Sequence, residues 1–150
     1  MDQYIGTKII EAVPAVRKGG KVYDLTWPIP RRMEPEEPGY RVRYQDGYES
    51  WSPKDVFEEA YRRTDAMTFG MAIEAARKGR KIARKGWNGK GQYVELATGI
   101  SYVNPTGEII NASHEVIGNR AFAFVGTSGV QMGWLASQAD MLAEDWVIIG

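Results

Sequence analysis

Hydrophobic and polar positions alternate over several short stretches of this chain, which is the spacing typical of β-strands. Residues 4–13 are rich in β-branched side chains and predict a first strand that ends at Pro14. Residues 40–44 alternate, and residues 48–51 supply a return strand after Asp46-Gly47, a strong two-residue hairpin signal. The front of the chain is therefore predicted as a strand followed by a β-hairpin.

Residues 17–39 interrupt this pattern. The stretch contains two adjacent glycines, four prolines and three glutamates, a composition that neither a helix nor a central strand tolerates well. It is therefore predicted as a long surface loop.

A helix is predicted directly after the hairpin. Ser52 is predicted as its N-cap, Pro53 as its first helical residue, and Asp55 lies where the helix dipole favours a carboxylate. The helix is expected to end near Tyr61. Its apolar residues are expected to be buried: Val56, Phe57 and Ala60.

A second module is predicted to begin after residues 64–66, because Thr68 is a good N-cap for a new helix. That helix is predicted over residues 69–78 and is stopped by Gly79. Its apolar residues fall on one face at helical spacing: Phe69, Ile73 and Ala76.

Strand patterns follow to the end of the chain, at residues 81–84, 93–96, 121–125, 130–134 and 146–149, with a hairpin at 101–110 across 104–107. The predicted fold class is α+β: a small antiparallel-sheet domain with one N-terminal helix at residues 66–150. It is preceded by a smaller β-hairpin-plus-helix module at residues 1–65.

Composition limits the functional classes. With 19 basic and 19 acidic residues the formal net charge is +0, which argues against a protein that coats DNA or an anionic membrane. The chain has no cysteine, which excludes disulfides, thiolate metal sites and a cysteine nucleophile. No apolar run approaches the roughly 20 residues of a membrane span, and the first residues lack a signal-peptide pattern. A cytoplasmic protein is predicted.

Candidate chemistry concentrates in residues 133–146, which combine two tryptophans, a Ser-Gln pair and three carboxylates without a consistent helical or strand period. This stretch is interpreted as a shaped surface. Residues 83–91 add a third indole and an amide between glycines and basic side chains. Together the two stretches supply what a nucleotide pocket needs: aromatic faces, cations and hydrogen-bonding groups.

Seven basic residues and no acidic one lie between residues 77 and 90. Arg77 and Lys78 fit a solvated helix end, where cations are favoured. Arg84, Lys85 and Lys90 bracket a glycine-flanked loop that could bring backbone N–H groups to a phosphate. The spacing is not that of a Walker loop.

The tryptophans of this half of the chain have different interpretations. Trp146 begins a hydrophobic strand and is predicted to be core. Trp87 and Trp134 lie beside glycines and polar residues, and both ligand contact and packing remain open for them. No catalytic residue, metal site or cofactor is predicted, because the chain has one histidine, no cysteine and no nucleophile motif.

Three segments resemble the second type of Thoeris anti-defence protein: residues 67–72 (Met-Thr-Phe-Gly-Met-Ala), 81–91 (Lys-Ile-Ala-Arg-Lys-Gly-Trp-Asn-Gly-Lys-Gly) and 134–146 (Trp-Leu-Ala-Ser-Gln-Ala-Asp-Met-Leu-Ala-Glu-Asp-Trp). The resemblance covers residues 67–149. Residues 1–65 lie outside it and resemble N-terminal extensions of some phage relatives, with docking or partner contact as the only expected role.

This resemblance implies a phage protein that binds glycocyclic ADP-ribose, the messenger of Thoeris immunity, in the host bacterial cytoplasm and holds it without cleavage. It also implies a homo-oligomer, predicted as a tetramer, with pockets between protomers. Some members of the family sequester cyclic oligonucleotides of CBASS immunity, including cyclic di- or trinucleotides, at a separate site. A nucleotide-processing enzyme and a phage structural or adaptor protein remain as alternatives.

Carried onto this sequence, the resemblance implies a ligand site built from two motifs. The residues expected to bind ligand are Trp87, Asn88, Trp134, Ser137 and Asp140. Asp140 is interpreted as a loop carboxylate that serves the ligand and not the core. Further candidates are Phe69, Arg84, Gln138 and Met141.

Overall fold

The computed structural model describes residues 1–26, 28–29, 35–87, 91–111 and 119–150. The chain forms two compact units, residues 1–62 and residues 63–150. The sequence prediction had placed this division after residue 65. The fold is α+β, with antiparallel sheets and few helices among the described residues.

The first unit is a four-stranded antiparallel sheet followed by a short helix. Its strands are β1 (Glu11–Lys18), β2 (Lys21–Asp24), β3 (Glu37–Arg43) and β4 (Glu49–Pro53), and its helix is α1 (Lys54–Ala60). The strand order is β2-β1-β3-β4. The predicted hairpin is present as β3 and β4, but it is half of a larger sheet.

The predicted strand over residues 4–13 is wrong, because β1 begins at Glu11 and continues through Pro14 to Lys18. The carbonyl oxygen of Pro14 accepts a hydrogen bond from Leu25 N at 3.4 Å on the β2 side. The N–H and C=O of one strand residue point to the same side, so the missing N–H of Pro14 removes no bond to β3.

The predicted loop over residues 17–39 is also wrong, because β2 lies inside it. Lys18 pairs with Lys21, and the two residues between them are Gly19 and Gly20, with φ of 58° and 76°. Two consecutive positive φ angles are typical of a two-residue type I′ hairpin turn, and glycine adopts them without strain. The Gly-Gly pair was therefore a hairpin signal.

The helix after the hairpin is confirmed, with differences at its start and on its buried face. Ser52 lies in β4, and Pro53 is the N-cap and makes no side-chain capping bond. Asp55 lies in the first turn, as predicted. Val56 and Ala60 are exposed, and only Phe57 is partly buried, because its ring stacks on Tyr40 at 4.0 Å between centroids.

The second unit contains a five-stranded antiparallel sheet and a separate hairpin. The helices are α2 (Phe69–Arg77) and α3 (Gln138–Leu142). The strands are β5 (Lys81–Arg84), β6 (Tyr93–Thr98), β7 (Ser101–Val103), β8 (Ile109–Asn111), β9 (Arg120–Gly126), β10 (Gly129–Met132) and β11 (Trp146–Ile149). The sheet order is β10-β9-β6-β5-β11, and β7 pairs with β8.

Local signals in this unit are confirmed. The Thr68 hydroxyl accepts a hydrogen bond from Met71 N and caps α2, while Gly79 has a φ of 90° just after the helix. Strands β5 and β11 have their predicted bounds. Strand β10 ends two residues early, because Gly133 has a φ of 78° and the N–H groups of Gly133 and Trp134 both donate to Phe122 O.

Helix α2 packs on the sheet through small residues. Ala72, Ala75 and Ala76 are buried in the core together with Ile82 and Val94. Phe69 and Ile73, which were predicted on this face, pack against that core and are partly buried. Among the described residues, no helix has the length and apolarity that crossing a membrane requires.

Candidate functional site: an aromatic cluster joined to an arginine network

Five aromatic rings meet at the end of the sheet where β5 and β11 pair. Trp146, at the start of β11, is fully buried (0% exposed). Its ring lies 5.4 Å from Phe69, 5.4 Å from Trp87 and 6.2 Å from Trp134 between centroids. The fifth ring, Phe124, lies 5.2 Å from Trp87. We call these five residues the aromatic cluster.

Trp87 and Trp134 form the partly exposed side of the aromatic cluster. Their rings meet edge to face, with centroids 6.0 Å apart and planes at 72°. Trp87 N donates to Arg84 O in the turn after β5, and Trp134 N donates to Phe122 O beside β9. Each indole is half-buried, so part of it packs on the core while part remains in contact with solvent. Both interpretations of these residues, packing and ligand contact, are compatible with this position.

An arginine network borders the aromatic cluster. Arg84 Nε donates to Asp145 Oδ1 at 2.9 Å, and Arg84 Nη1 donates to Asp140 Oδ1 at 3.0 Å. We call these three residues the arginine network. The backbone carbonyl of Asp140 accepts a 2.8 Å hydrogen bond from Trp146 Nε1. The network and the cluster are therefore held together by a direct hydrogen bond.

Helix α3 is a correction to the prediction of a single helix in this domain. Ser137 Oγ accepts from Asp140 N at 3.1 Å, and Asp140 Oδ2 accepts from Ser137 N at 3.0 Å. This reciprocal pair is a capping box, which satisfies N–H groups at the helix start. The helix has five residues, too few to show a helical period, but the Ser-x-x-Asp spacing was a readable signal.

Asp140 is therefore a structural carboxylate in addition to a ligand candidate. It was interpreted as a loop residue, whereas it lies in the first turn of α3 with both side-chain oxygens engaged. Burial raises the pKa of Asp140, but hydrogen bonds from the Ser137 N–H and Arg84 outweigh it and hold the pKa below its ordinary value. Hydrogen bonds to Asp145 and then to Asp140 raise the pKa of Arg84.

Replacing Asp140 is expected to cost stability. Asp140→Ala removes a capping interaction worth about 1 kcal/mol and one carboxylate of the arginine network, whose side chain is 16% exposed. We expect urea unfolding to show a loss of about 1–3 kcal/mol, since a hydrogen bond to a charged group adds to the cap. Ser137→Ala, which removes the cap but keeps the ion pair, should lose about 1 kcal/mol.

The hydrogen bonds of Asp140 to Arg84 and Ser137 also predict that the stability of the protein depends on pH. The pKa of Asp140 is depressed in the folded state, so its contribution is present above the unfolded-state pKa and is lost as the pH falls below about 4. Asp140→Ala should therefore lose less stability than the parent between about pH 5 and 2. If the parent and Asp140→Ala lost the same free energy of unfolding on acidification, or if they were equally stable at pH 7, the structural role of Asp140 would be contradicted.

The structure brings most of the predicted site residues into one region. Phe69, Trp87 and Trp134 belong to the aromatic cluster, while Arg84 and Asp140 belong to the arginine network. Ser137, Gln138 and Met141 are exposed at α3. Asn88 lies outside the described residues.

Three residues of this region were not predicted as part of the site. Phe124 and Trp146 complete the aromatic cluster, and Asp145 is the second partner of Arg84. Trp146 was predicted as core, and that prediction is confirmed. Within the described part of the chain, no group of three or more histidine, cysteine, aspartate or glutamate residues could hold a metal ion.

Comparison with known proteins places this region in a family. The model of the Thoeris anti-defense 2-like domain matches residues 67–149, which include the whole aromatic cluster and the arginine network. The chain belongs to the Thoeris anti-defense 2-like family. It is also similar to the protein Thoeris anti-defense 2 of Bacillus phage SP01, with 36% identity over 87 residues that cover 55% of this chain and 94% of that protein. Membership of the Thoeris anti-defense 2-like family supports a phage anti-defence role, and the unit of residues 1–62 lies outside the matched domain.

Proposed function

We propose that this protein sequesters glycocyclic ADP-ribose, the messenger of Thoeris immunity, and holds it without cleavage in the cytoplasm of the infected bacterium. The observation that carries the proposal is the pair of half-buried indoles, Trp87 and Trp134, inside the family-matched domain. A nucleobase or ribose that stacks on an indole gains about 1–3 kcal/mol, by analogy with single-stranded nucleic-acid binding.

In this proposal the aromatic cluster has two layers with different roles. Trp146 forms the buried layer and supports the other rings. Trp87 and Trp134 form the outer layer and offer the ligand surface. An indole that is already fixed by edge-to-face packing loses little conformational entropy on binding, so stacking on it costs less than stacking on a free side chain.

The arginine network has a positioning role in this proposal. Arg84 faces two carboxylates, Asp140 and Asp145, so its charge is already compensated locally. Its effect is to fix the start of α3 against β5, and α3 with its N-cap carries Ser137, Gln138 and Met141. We propose that these three residues and Asn88 supply the further ligand contacts.

The proposed protein is a homo-oligomer, with a tetramer as the expected form. The described residues of the second unit support association, because large apolar side chains are exposed in β7, β8, β10 and around α3. We further propose that residues 66–150 carry messenger binding and that residues 1–65 are accessory to it.

A release experiment tests the proposed function. The protein is incubated with glycocyclic ADP-ribose, filtered to remove free messenger, and heated, and the released nucleotide is identified by chromatography and mass spectrometry. We expect depletion on incubation and return of intact messenger on heating. A new product would indicate a nucleotide-processing enzyme, and the absence of depletion would indicate an adaptor protein.

Two further arms extend the same experiment. A truncated chain of residues 63–150 should deplete the messenger as the full chain does, and a folded truncated chain that fails to do so would overturn the accessory role of the first unit. Cyclic di- and trinucleotides are added alone and with excess glycocyclic ADP-ribose. Depletion of a cyclic oligonucleotide that the excess does not prevent would indicate a separate second site.

A further inference from the structure

Strand β10 is an open edge of the five-stranded sheet. It pairs with β9 on one side, and all four of its residues are exposed. The opposite edge of the sheet is covered, because residues 64 and 67 hydrogen-bond to the backbone of β11. Among the described residues, no backbone hydrogen bond covers the outer side of β10.

The pairing with β9 decides which backbone groups face outward. Gly133 N donates to Phe122 O, and the register pairs Gln131 with Phe124 and Gly129 with Gly126. In an antiparallel ladder, hydrogen-bonded and non-hydrogen-bonded positions alternate, so residues 129, 131 and 133 point their N–H and C=O groups toward β9. Val130 and Met132 therefore point theirs toward the open edge.

The composition of this edge is unusual for an unpaired strand. Edge strands are commonly protected from pairing by charged residues, proline or bulges. Residues 121–139, which contain β10 and the turns on both sides of it, include no charged side chain and no proline. The side chains of Val130 and Met132 are 61% and 48% exposed.

We propose that β10 pairs with β10 of a second copy of this chain, antiparallel and with a two-fold axis at Gln131. In this register Val130 lies opposite Met132 of the second copy, and the reverse pair follows by symmetry. Both are hydrogen-bonded pairs, so the four outward N–H and C=O groups of each copy are all satisfied by four new bonds across the interface. A register centred elsewhere leaves some of these groups unpaired.

The side chains also fit a second copy. Val130 and Met132 place apolar surface opposite apolar surface on one face of the continuous sheet. On the other face, Gln131 lies opposite itself, and its carboxamide both donates and accepts hydrogen bonds. An acidic or basic partner strand would find no complementary charge along this edge.

The contact is small. A four-residue edge buries less than the roughly 1,200–2,000 Å² of a standard interface, so we expect a dissociation constant in the micromolar range. This inference rests on the proposed homo-oligomer and names the surface through which copies join. It does not depend on which messenger is bound.

Charge variants at residue 131 test the register. Because Gln131 faces itself across the axis, Gln131→Glu alone and Gln131→Lys alone each place like charges together, whereas a mixture places opposite charges together. Sedimentation velocity at roughly 1–100 µM, without messenger, should give the parent a mass of an even number of chains. Each variant alone should fall to half that mass, and the equimolar mixture should return to the parent mass.

Two further variants complete the test. Met132→Pro removes an outward N–H without removing a bond to β9, so it should keep the circular dichroism spectrum of the parent and also fall to half the mass. Val56→Lys changes a valine of similar exposure (60%) in α1 of the first unit, outside the apolar strands of the second unit, and should keep the parent mass. Three results would overturn the inference. They are a parent protein that sediments as a single chain, Gln131 variants that keep the parent mass, and an equimolar mixture that stays at half the parent mass.

Discussion

Trp146→Ala is expected to unfold the domain of residues 63–150 or to lower its melting temperature by more than about 10 °C. The indole is fully buried, contacts three other rings of the aromatic cluster and donates a hydrogen bond to Asp140 O. Removing a large buried aromatic side chain costs about 3–5 kcal/mol, against a total stability of about 5–15 kcal/mol for a typical domain. Thermal unfolding followed by circular dichroism measures the effect.

Leu135→Ala is the control for this substitution. Leu135 lies next to Trp134 but is 87% exposed, so its truncation removes little buried surface and should leave the melting temperature close to that of the parent. A Trp146→Ala variant that melts with the parent would show that the aromatic cluster does not support the domain.

Trp87→Ala is expected to weaken binding of glycocyclic ADP-ribose by about tenfold to a hundredfold. Loss of one stacking surface costs about 1–3 kcal/mol, and 1.4 kcal/mol corresponds to a factor of ten. Trp87 also packs on Phe124 and Trp146, so some thermal stability is lost as well. Calorimetric titration below the melting transition of the variant separates the two effects.

Two variants serve as controls for Trp87→Ala. Trp87→Phe keeps an aromatic face and should retain more affinity than the alanine variant. Trp51→Ala removes a half-buried indole from the first unit, where Arg17 lies 4.1 Å from the ring centroid, and should leave messenger binding unchanged. If Trp87→Ala binds like the parent, or Trp51→Ala loses as much affinity, the ligand surface has been placed wrongly.

Much of the second unit could be predicted because its signals are local. The Thr68 cap, the Gly79 stop and the bounds of β5 and β11 each depend on a few neighbouring residues. Such signals act through backbone conformation and capping bonds, which the sequence displays directly.

The first unit was harder to predict, because the effect of its prolines and glycines depends on how the strands pair, and residue type alone does not show that pairing. A proline predicted the end of a strand at residue 14, but its missing N–H faces a side where it costs no bond to β3. Gly19 and Gly20 were interpreted as loop residues, whereas their positive φ angles form a hairpin turn. The composition of residues 17–39 predicted a loop, whereas the backbone angles of Gly19 and Gly20 form a turn between two strands.

The candidate site shows the same limit for long-range contacts. Trp87, Trp134, Arg84 and Asp140 were predicted as ligand-binding residues. The sequence could not show that Arg84 and Asp140 form an ion pair with each other across 56 positions. An ion pair of that separation depends on how β5 and α3 approach in the fold. The structure therefore adds a positioning role for two residues that the sequence assigned to the ligand.

The central claim is that glycocyclic ADP-ribose binds at the outer layer of the aromatic cluster, and the indole N–H resonances of the isotope-labelled protein test it most directly. The resonances are assigned with Trp→Phe variants and followed by nuclear magnetic resonance during titration with messenger. We predict that the Nε1–H signals of Trp87 and Trp134 shift to saturation while that of Trp51 stays in place. If the signals of Trp87 and Trp134 stayed unchanged while the protein became saturated with messenger, the claim would be contradicted.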